Sequence, residues 1–169
     1  VVSAWAISHK AWNKLMHALH GNGTSVAPRI ISKNVNGLAA PRKFKHFIKH
    51  IKAEHARLPI AAVLVQEHNL HRADKDDLMR VAHHYRILAL FSFLPEGETR
   101  GGTAIFIPYD SIHATKKETQ DEAISRVAQS VRVGLAGRAI TATTTLGDLA
   151  ISLVSAYAPV RSGPLRCTS

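Results

Sequence analysis

The chain has 169 residues, is 46% hydrophobic and has a mean hydropathy of −0.04, values that suit one globular domain and exclude a disordered chain. No apolar run approaches the ~20 residues of a membrane span, so we expect no membrane partner. The net charge is +10, and ten of the 22 Lys and Arg residues precede residue 61, where Glu54 is the only acid. This one-sided charge favours a polyanion such as nucleic acid as a partner. The single cysteine, Cys167, allows no internal disulfide, which favours an intracellular, reducing compartment.

The first 28 residues are predicted to form an arm outside the main domain. Between residues 12 and 20, apolar side chains recur at helical spacing, at Trp12, Leu15, Met16 and Leu19. A Gly-containing linker follows and runs to Pro28. We therefore expect a short amphipathic helix within an arm of residues 1–28.

The main domain is predicted to span residues 29–160, with a tail at residues 161–169. A strand at residues 30–35 precedes a helix that starts at Pro41, and this helix has one apolar stripe formed by Phe44, Phe47, Ile48 and Ile51. The run IAAVLVQE at residues 60–67 is typical of a strand covered on both faces. A second helix follows, with acidic residues near its start at Asp74, Asp76 and Asp77.

Five further strands are expected after the second helix, at residues 86–93, 101–108, 128–135, 138–146 and 149–159. The last two are close enough in sequence to form a hairpin. Two helices among seven strands in this order predict an α/β (α+β) fold, with a mixed sheet and helices on one side.

Polar side chains follow three of the predicted strands. They are Asn34 and Asn36 after the first strand, Gln66 and Glu67 after the second, and Tyr157 after the last. Sites gather where strands end in layered α/β proteins, and carboxylate and carboxamide oxygens suit a hard cation such as Mg²⁺. Taken alone, a strand-terminal glutamate is more often a solvated end or a helix cap.

Five short motifs occur in one order along the chain. They are KNVNGL at residues 33–38, LVQEH at 64–68, RGGTAIFI at 100–107, the pair Gly137-Arg138, and VSAYAP at 154–159. In this order and approximate spacing they resemble the endonuclease/exonuclease/phosphatase superfamily. They look most like the apurinic-type endonuclease domain of non-LTR retrotransposons, and the resemblance covers about residues 30–160.

The resemblance implies roles for individual residues. Glu67 matches a glutamate that binds Mg²⁺, with Mn²⁺ as an alternative, and Asn34 matches an asparagine that orients the site beside the metal. Asn36 stands where the repair enzymes usually have Asp, so we expect at most a weak metal contact from it. Tyr157 matches a tyrosine that supports the scissile phosphate, and the pair Gly101 and Gly102 matches glycines that permit close packing near the site.

The resemblance also implies what this sequence lacks. The family continues after its YAP motif with a Gly-Asp-Phe-Asn type segment and a Ser-Asp-His type segment, and neither is found here. We therefore expect half of a four-layer α/β sandwich, namely the N-terminal half of a truncated Mg²⁺-dependent endonuclease-like domain that is inactive in isolation. Its sheet would expose an apolar inner face, through which it would bind the missing C-terminal half or a second copy.

The predicted partner is DNA, nicked by phosphodiester hydrolysis in the complete form, and a nuclear location follows from the resemblance alone. The basic face of the helix that starts at Pro41 offers Lys43 and Lys45 as phosphate contacts. Two alternatives stay open. One is a non-catalytic, basic nucleic-acid-binding module, and the other is a phosphodiesterase of the same superfamily with a different substrate.

Overall fold

The computed structural model describes residues 27–134, 137–146 and 149–158. The helix expected at residues 12–20 and the tail expected at residues 161–169 lie outside the described residues. The helices are α1 (Pro41–Arg57), α2 (Lys75–His84) and α3 (Gln120–Gln129). The strands are β1 (Arg29–Asn34), β2 (Ile60–Gln66), β3 (Ile87–Ser92), β4 (Thr103–Pro108), β5 (Arg132–Gly134), β6 (Ala139–Leu146) and β7 (Leu149–Ala156). Single 3₁₀ turns lie at Arg72–Asp74 and Tyr109–Ser111.

The strands form two sheets. Sheet 1 has four strands in the order β1-β2-β4-β3, with β1 parallel to β2 and the other neighbours antiparallel. Sheet 2 has the antiparallel order β5-β6-β7, and Leu146 pairs with Leu149 where β6 and β7 meet. The predicted α/β class with a mixed sheet is therefore confirmed, although the strands are divided between two sheets.

Strands β2, β3 and β4 of sheet 1 are buried on both faces because they are apolar at successive positions, whereas β1 at the edge is largely exposed. In β4, Ala104 and Phe106 face the core beneath α1 and α2, whereas Ile105 and Ile107 face the core shared with sheet 2 and α3. This is the period of two that an extended chain imposes. The predicted stripe of α1 is confirmed, since Phe44, Ile48 and Ile51 are buried and Phe47 is partly buried. The two predicted helices lie on one side of sheet 1, as expected.

The expectation of an uncovered inner face is wrong for most of sheet 1. Sheet 2 and α3 cover that face, with Ile140, Ala142 and Leu153 of sheet 2 buried in the same core as Leu88 and Leu90 of β3. Among the large apolar residues of β1, Ile30 remains 50% exposed. Self-association through a bare sheet therefore loses its main physical basis in the part of the chain that the structure describes.

The strand expected at residues 128–135 is also wrong in its first part. Ala128 and Gln129 end the helix α3, and the strand β5 has only three residues. The helix itself was not predicted from the sequence. It begins with a capping box, in which Thr119 Oγ1 accepts from the backbone N–H of Glu122 and Glu122 Oε2 accepts from the backbone N–H of Thr119.

Candidate functional site

The candidate site lies at the edge of sheet 1 where β1 and β2 end. Because these strands are parallel and Asn34 pairs with Gln66, the residues that follow them leave the sheet side by side. Backbone pairing continues past both strands, since Gly37 N donates to Glu67 O at 2.7 Å and Leu38 N donates to His68 O at 2.7 Å. Two loops are thereby held against each other.

Asn34 and Glu67 are joined directly. The side-chain amide Nδ2 of Asn34 donates to Glu67 Oε1 at 2.5 Å, and Asn34 Oδ1 accepts from the backbone N–H of Asn36 at 3.0 Å. The second bond fixes the orientation of the carboxamide, because only its oxygen can accept a hydrogen bond from a backbone N–H. The predicted pair is therefore brought together, and the remaining carboxylate oxygen of Glu67 has no hydrogen-bond partner among the described residues.

The backbone at this edge is unusual. Four non-glycine residues of the described chain have positive φ, and three of them lie here: Asn36 (47°), Glu67 (56°) and Asn69 (54°). Asparagine tolerates this conformation, whereas a glutamate does so at a cost. Such residues persist only where neighbouring contacts hold them, and they concentrate at functional sites.

His68 supplies one of those contacts from inside the protein. It is fully buried, and its Nδ1 accepts from the backbone N–H of Leu70 at 2.9 Å. Nε2 therefore carries the proton, and it lies 3.2 Å from the carbonyl oxygens of both Ser92 and Thr103. Burial lowers the pKa of the imidazole to about 4, which keeps it neutral. His68 thus ties the Glu67 loop to the end of β3 and the start of β4.

The glycines Gly101 and Gly102 precede β4 and permit close packing, as predicted. A methyl group on Gly102 would overlap the His68 ring, and one on Gly101 would lie 3.9 Å from the Tyr157 ring. Sequence reasoning found these glycines but missed His68 and Asn69. The adjacent glycines were the available signal, because two successive residues without side chains indicate that something large approaches the backbone.

Tyr157 reaches the same edge through sheet 2. Two residues before it on β7, Ser155 Oγ donates to Val65 O of β2 at 2.8 Å and accepts from Gln66 Nε2 at 3.3 Å. Tyr157 follows directly after β7, and its ring lies beside Gly101 before β4, which places it on the side that meets sheet 1. Its hydroxyl group makes no hydrogen bond with any described residue.

The other predicted residues occupy different positions. The side chain of Asn36 is exposed, and only its backbone N–H is engaged with Asn34. Lys43 lies in the first turn of α1, close in sequence to the Asn34 loop, and Lys45 lies beside α2, where it lines an open cavity of about 300 Å³ with Arg80 and His84. The metal contact expected from Asn36 and the phosphate contacts expected from Lys43 and Lys45 stay predictions.

The donor atoms are compatible with Mg²⁺ but incomplete. Glu67 offers one carboxylate oxygen without a partner, and Mg²⁺ commonly binds one or two carboxylates and completes its shell with water and phosphate. Within residues 27–134, 137–146 and 149–158, no group of three or more His, Cys, Asp or Glu side chains is placed to hold a metal ion.

No helix in the described part of the chain is both long and apolar enough to cross a membrane. The protein is an α/β protein with a cluster of polar side chains at the carboxyl ends of β1 and β2.

Comparisons with known proteins give a structural likeness to solved protein chains. No protein-family model matches the sequence, and no curated protein matches it. Among solved structures, the chain is similar to an AP endonuclease from Leishmania major, with a TM-score of 0.48 and 14% sequence identity over 85% of this chain. The match covers 50% of that endonuclease, so the chain spans about half its length. A likeness in fold does not fix a function, so the function depends on the contacts of the candidate site itself.

Proposed function

We propose that this chain is part of a Mg²⁺-dependent endonuclease-like domain of the non-LTR retrotransposon type, whose complete form nicks nuclear DNA by phosphodiester hydrolysis. The observation that carries the proposal is the bond between Asn34 Nδ2 and Glu67 Oε1, which joins the first two of the five ordered motifs at the ends of β1 and β2. A carboxylate held in this way, with one oxygen without a partner, is suited to a cation that binds phosphate.

Each residue then has a defined task. Bound Mg²⁺ would supply positive charge to the phosphate and its leaving oxygen. Glu67 holds the cation, and Asn34 fixes the direction of the Glu67 carboxylate. Tyr157, whose hydroxyl has no partner among the described residues, donates a hydrogen bond to the phosphate. The water-activating carboxylate and the histidine of the resembled family have no counterpart motif in this sequence, so we expect negligible hydrolysis by the 169 residues alone.

The test is divalent-ion binding at Glu67, because it does not require turnover. In the ¹⁵N-labelled chain, Mn²⁺ should broaden the amide resonances of residues 34–37 and 67–69, and Glu67→Gln should remove this broadening since it removes the charged ligand. Asp121→Asn, which changes an exposed carboxylate at the start of α3, should leave the broadening intact.

Broadening that survives in Glu67→Gln would contradict the metal site. Nicking of plasmid DNA at the rate of a complete endonuclease would contradict the expected inactivity, provided that Glu67→Gln abolished it.

A second candidate, the non-catalytic nucleic-acid-binding module, is favoured by α1. Within the described residues, four exposed cations of this helix have no carboxylate within 4.0 Å, namely Arg42, Lys43, Lys45 and Lys49. This candidate predicts DNA binding that depends on salt but is unchanged by Glu67→Gln.

A further inference from the structure

We propose that Asn69 is a positioning residue, which fixes the Gly101 backbone against the Glu67 loop and thereby sets the place of the Tyr157 ring. The inference adds a positioning residue to the proposed function. It rests on that function because it assumes that Glu67 and Tyr157 act on one phosphate. No sequence motif pointed to Asn69, and its role follows from contacts between residues far apart in the chain.

Asn69 and Gly101 are joined by two hydrogen bonds. Asn69 N donates to Gly101 O at 3.0 Å, and Gly101 N donates to Asn69 Oδ1 at 2.9 Å. The first bond is available to any residue except proline, but the second needs the side-chain oxygen. Gly101 lies outside β4, which begins at Thr103, so its N–H has no strand partner and depends on Asn69.

The other side of the Asn69 carboxamide faces the Asn34 loop. A methyl group on Gly37 would lie 3.1 Å from Asn69 Nδ2, and Gly37 N donates to Glu67 O. The carboxamide is therefore packed between the loop after β1 and the loop before β4. A single side chain thus lies between the two loops that flank the Glu67 loop.

Gly101 in turn lies beside the Tyr157 ring. The position of a Cβ on Gly101 lies 3.9 Å from both Cδ1 and Cε1 of Tyr157, and 3.4 Å from Cδ2 of Leu94. The Tyr157 hydroxyl has no hydrogen bond among the described residues to fix the ring independently. The Gly101 backbone, as held by Asn69, is therefore one wall of the space that the ring occupies.

Asparagine meets two requirements at this position. The φ of 54° calls for a residue that tolerates the left-handed region, and the Gly101 N–H calls for an acceptor. Aspartate meets both requirements, whereas glycine meets only the first. Asn69→Asp and Asn69→Gly therefore form a matched pair that separates the hydrogen bond from the backbone conformation.

The experiment uses the full 169-residue chain with 3-fluorotyrosine at all three tyrosines, which are Tyr85, Tyr109 and Tyr157. Tyr85 and Tyr109 adjoin the start of β3 and the end of β4, at the opposite edge of sheet 1, and serve as internal controls. In Asn69→Gly, the ¹⁹F resonance of Tyr157 should shift or broaden more than both controls. In Asn69→Asp it should keep the wild-type position.

An unchanged Tyr157 resonance in folded Asn69→Gly would overturn the proposal, as would an equal change in Asn69→Asp. Should Asn69→Gly fail to fold, amide hydrogen exchange of the wild-type chain decides. The Gly101 N–H should exchange at least about tenfold more slowly than the Gly97 N–H, which lies in the same loop between β3 and β4. One hydrogen bond supplies a protection factor of about this size. Equal exchange would overturn the proposal.

These readouts need neither metal nor DNA. If Mn²⁺ fails to broaden the Glu67 loop while Asn69→Gly still moves the Tyr157 resonance, the proposed function fails and the positioning role stands. If Mn²⁺ binds as expected and Tyr157 does not respond to Asn69→Gly, the positioning role fails by itself.

Discussion

At the scale of single residues, the hydrogen bonds of a buried histidine and an exposed asparagine hold the candidate site. Both ring nitrogens of His68 form hydrogen bonds with backbone groups of neighbouring segments. Both polar atoms of the Asn34 carboxamide form hydrogen bonds within the site itself. A buried polar group that is fully bonded, as His68 is, defines one arrangement, because any displacement leaves it unpaired at a cost. Glu67 is therefore kept in a backbone conformation that a glutamate would otherwise avoid.

Gly102→Ala should be strongly destabilising. The added methyl group would overlap the buried His68 ring, so we expect a loss of about 3 kcal/mol or more in the free energy of unfolding. Gly97→Ala is the matched control, since Gly97 has a similar φ of 82° but no atom within 4 Å of the added group, and it should lose only about 1 kcal/mol. Equal losses in urea unfolding would show that backbone strain, and not the contact with His68, governs this position.

Stability should fall in mild acid because of His68. The pKa of its imidazole is lowered from 6.5 to about 4 in the folded chain, so between these values the unfolded chain binds a proton that the folded chain does not. Stability from this group is complete above pH 6.5 and decreases by about 3 kcal/mol as the pH falls to 4. Urea unfolding at several pH values should show this loss in the wild type and not in His68→Gln. A variant profile as steep as that of the wild type would contradict the assignment.

At the scale of secondary-structure elements, local pattern predicted most of the helices and strands but missed α3. Its sequence signal was present, since Thr119 and Glu122 have the spacing of a capping box and Ala123 and Val127 lie one turn apart on the buried face. The prediction instead took residues 128–135, which include the β-prone Val131 and Val133, as a strand. Helix α3 matters because it closes the core between sheet 1 and sheet 2.

Thr119→Ala should weaken α3. Removing the hydroxyl leaves the Glu122 N–H without its acceptor, and we expect a loss of about 1 kcal/mol in the free energy of unfolding. Thr99→Ala is the control, because Thr99 is exposed and its side chain makes no hydrogen bond within the described residues; its effect should stay within about 0.5 kcal/mol. A loss no larger than that of Thr99→Ala would mean that the cap adds nothing.

At the scale of the whole molecule, the positive charge seen in the N-terminal part of the sequence includes a cationic surface on the exposed face of α1. Helix α1 covers one face of sheet 1 with its apolar stripe and leaves its cationic side chains to solvent. The sequence placed this charge in the N-terminal third, and the fold places the start of α1 next to the candidate site. A surface of this kind favours phosphate backbones without selecting a base sequence.

Replacing both Lys43 and Lys45 by alanine should weaken the binding of duplex DNA. Each phosphate contact that is lost should reduce the slope of log K against log salt concentration by about 1. The control is the double variant Lys116→Ala and Lys117→Ala, which removes the same charge from the exposed loop before α3, on the opposite side of sheet 1. Equal effects of the two double variants in titrations at several salt concentrations would show that net charge alone controls binding.

The sequence by itself determined most of the segments that become helices and strands, although not α3, and which polar residues stand at strand ends, because apolar periodicity and motifs are local properties. It did not determine that β4 lies between β2 and β3 or that sheet 2 covers sheet 1, because periodicity shows that a face is buried and not what buries it. Only the tertiary structure placed His68 against Gly102 and Asn69 against Gly101. These contacts join residues more than thirty positions apart, and their energies depend on a geometry that exists only once both sheets are packed.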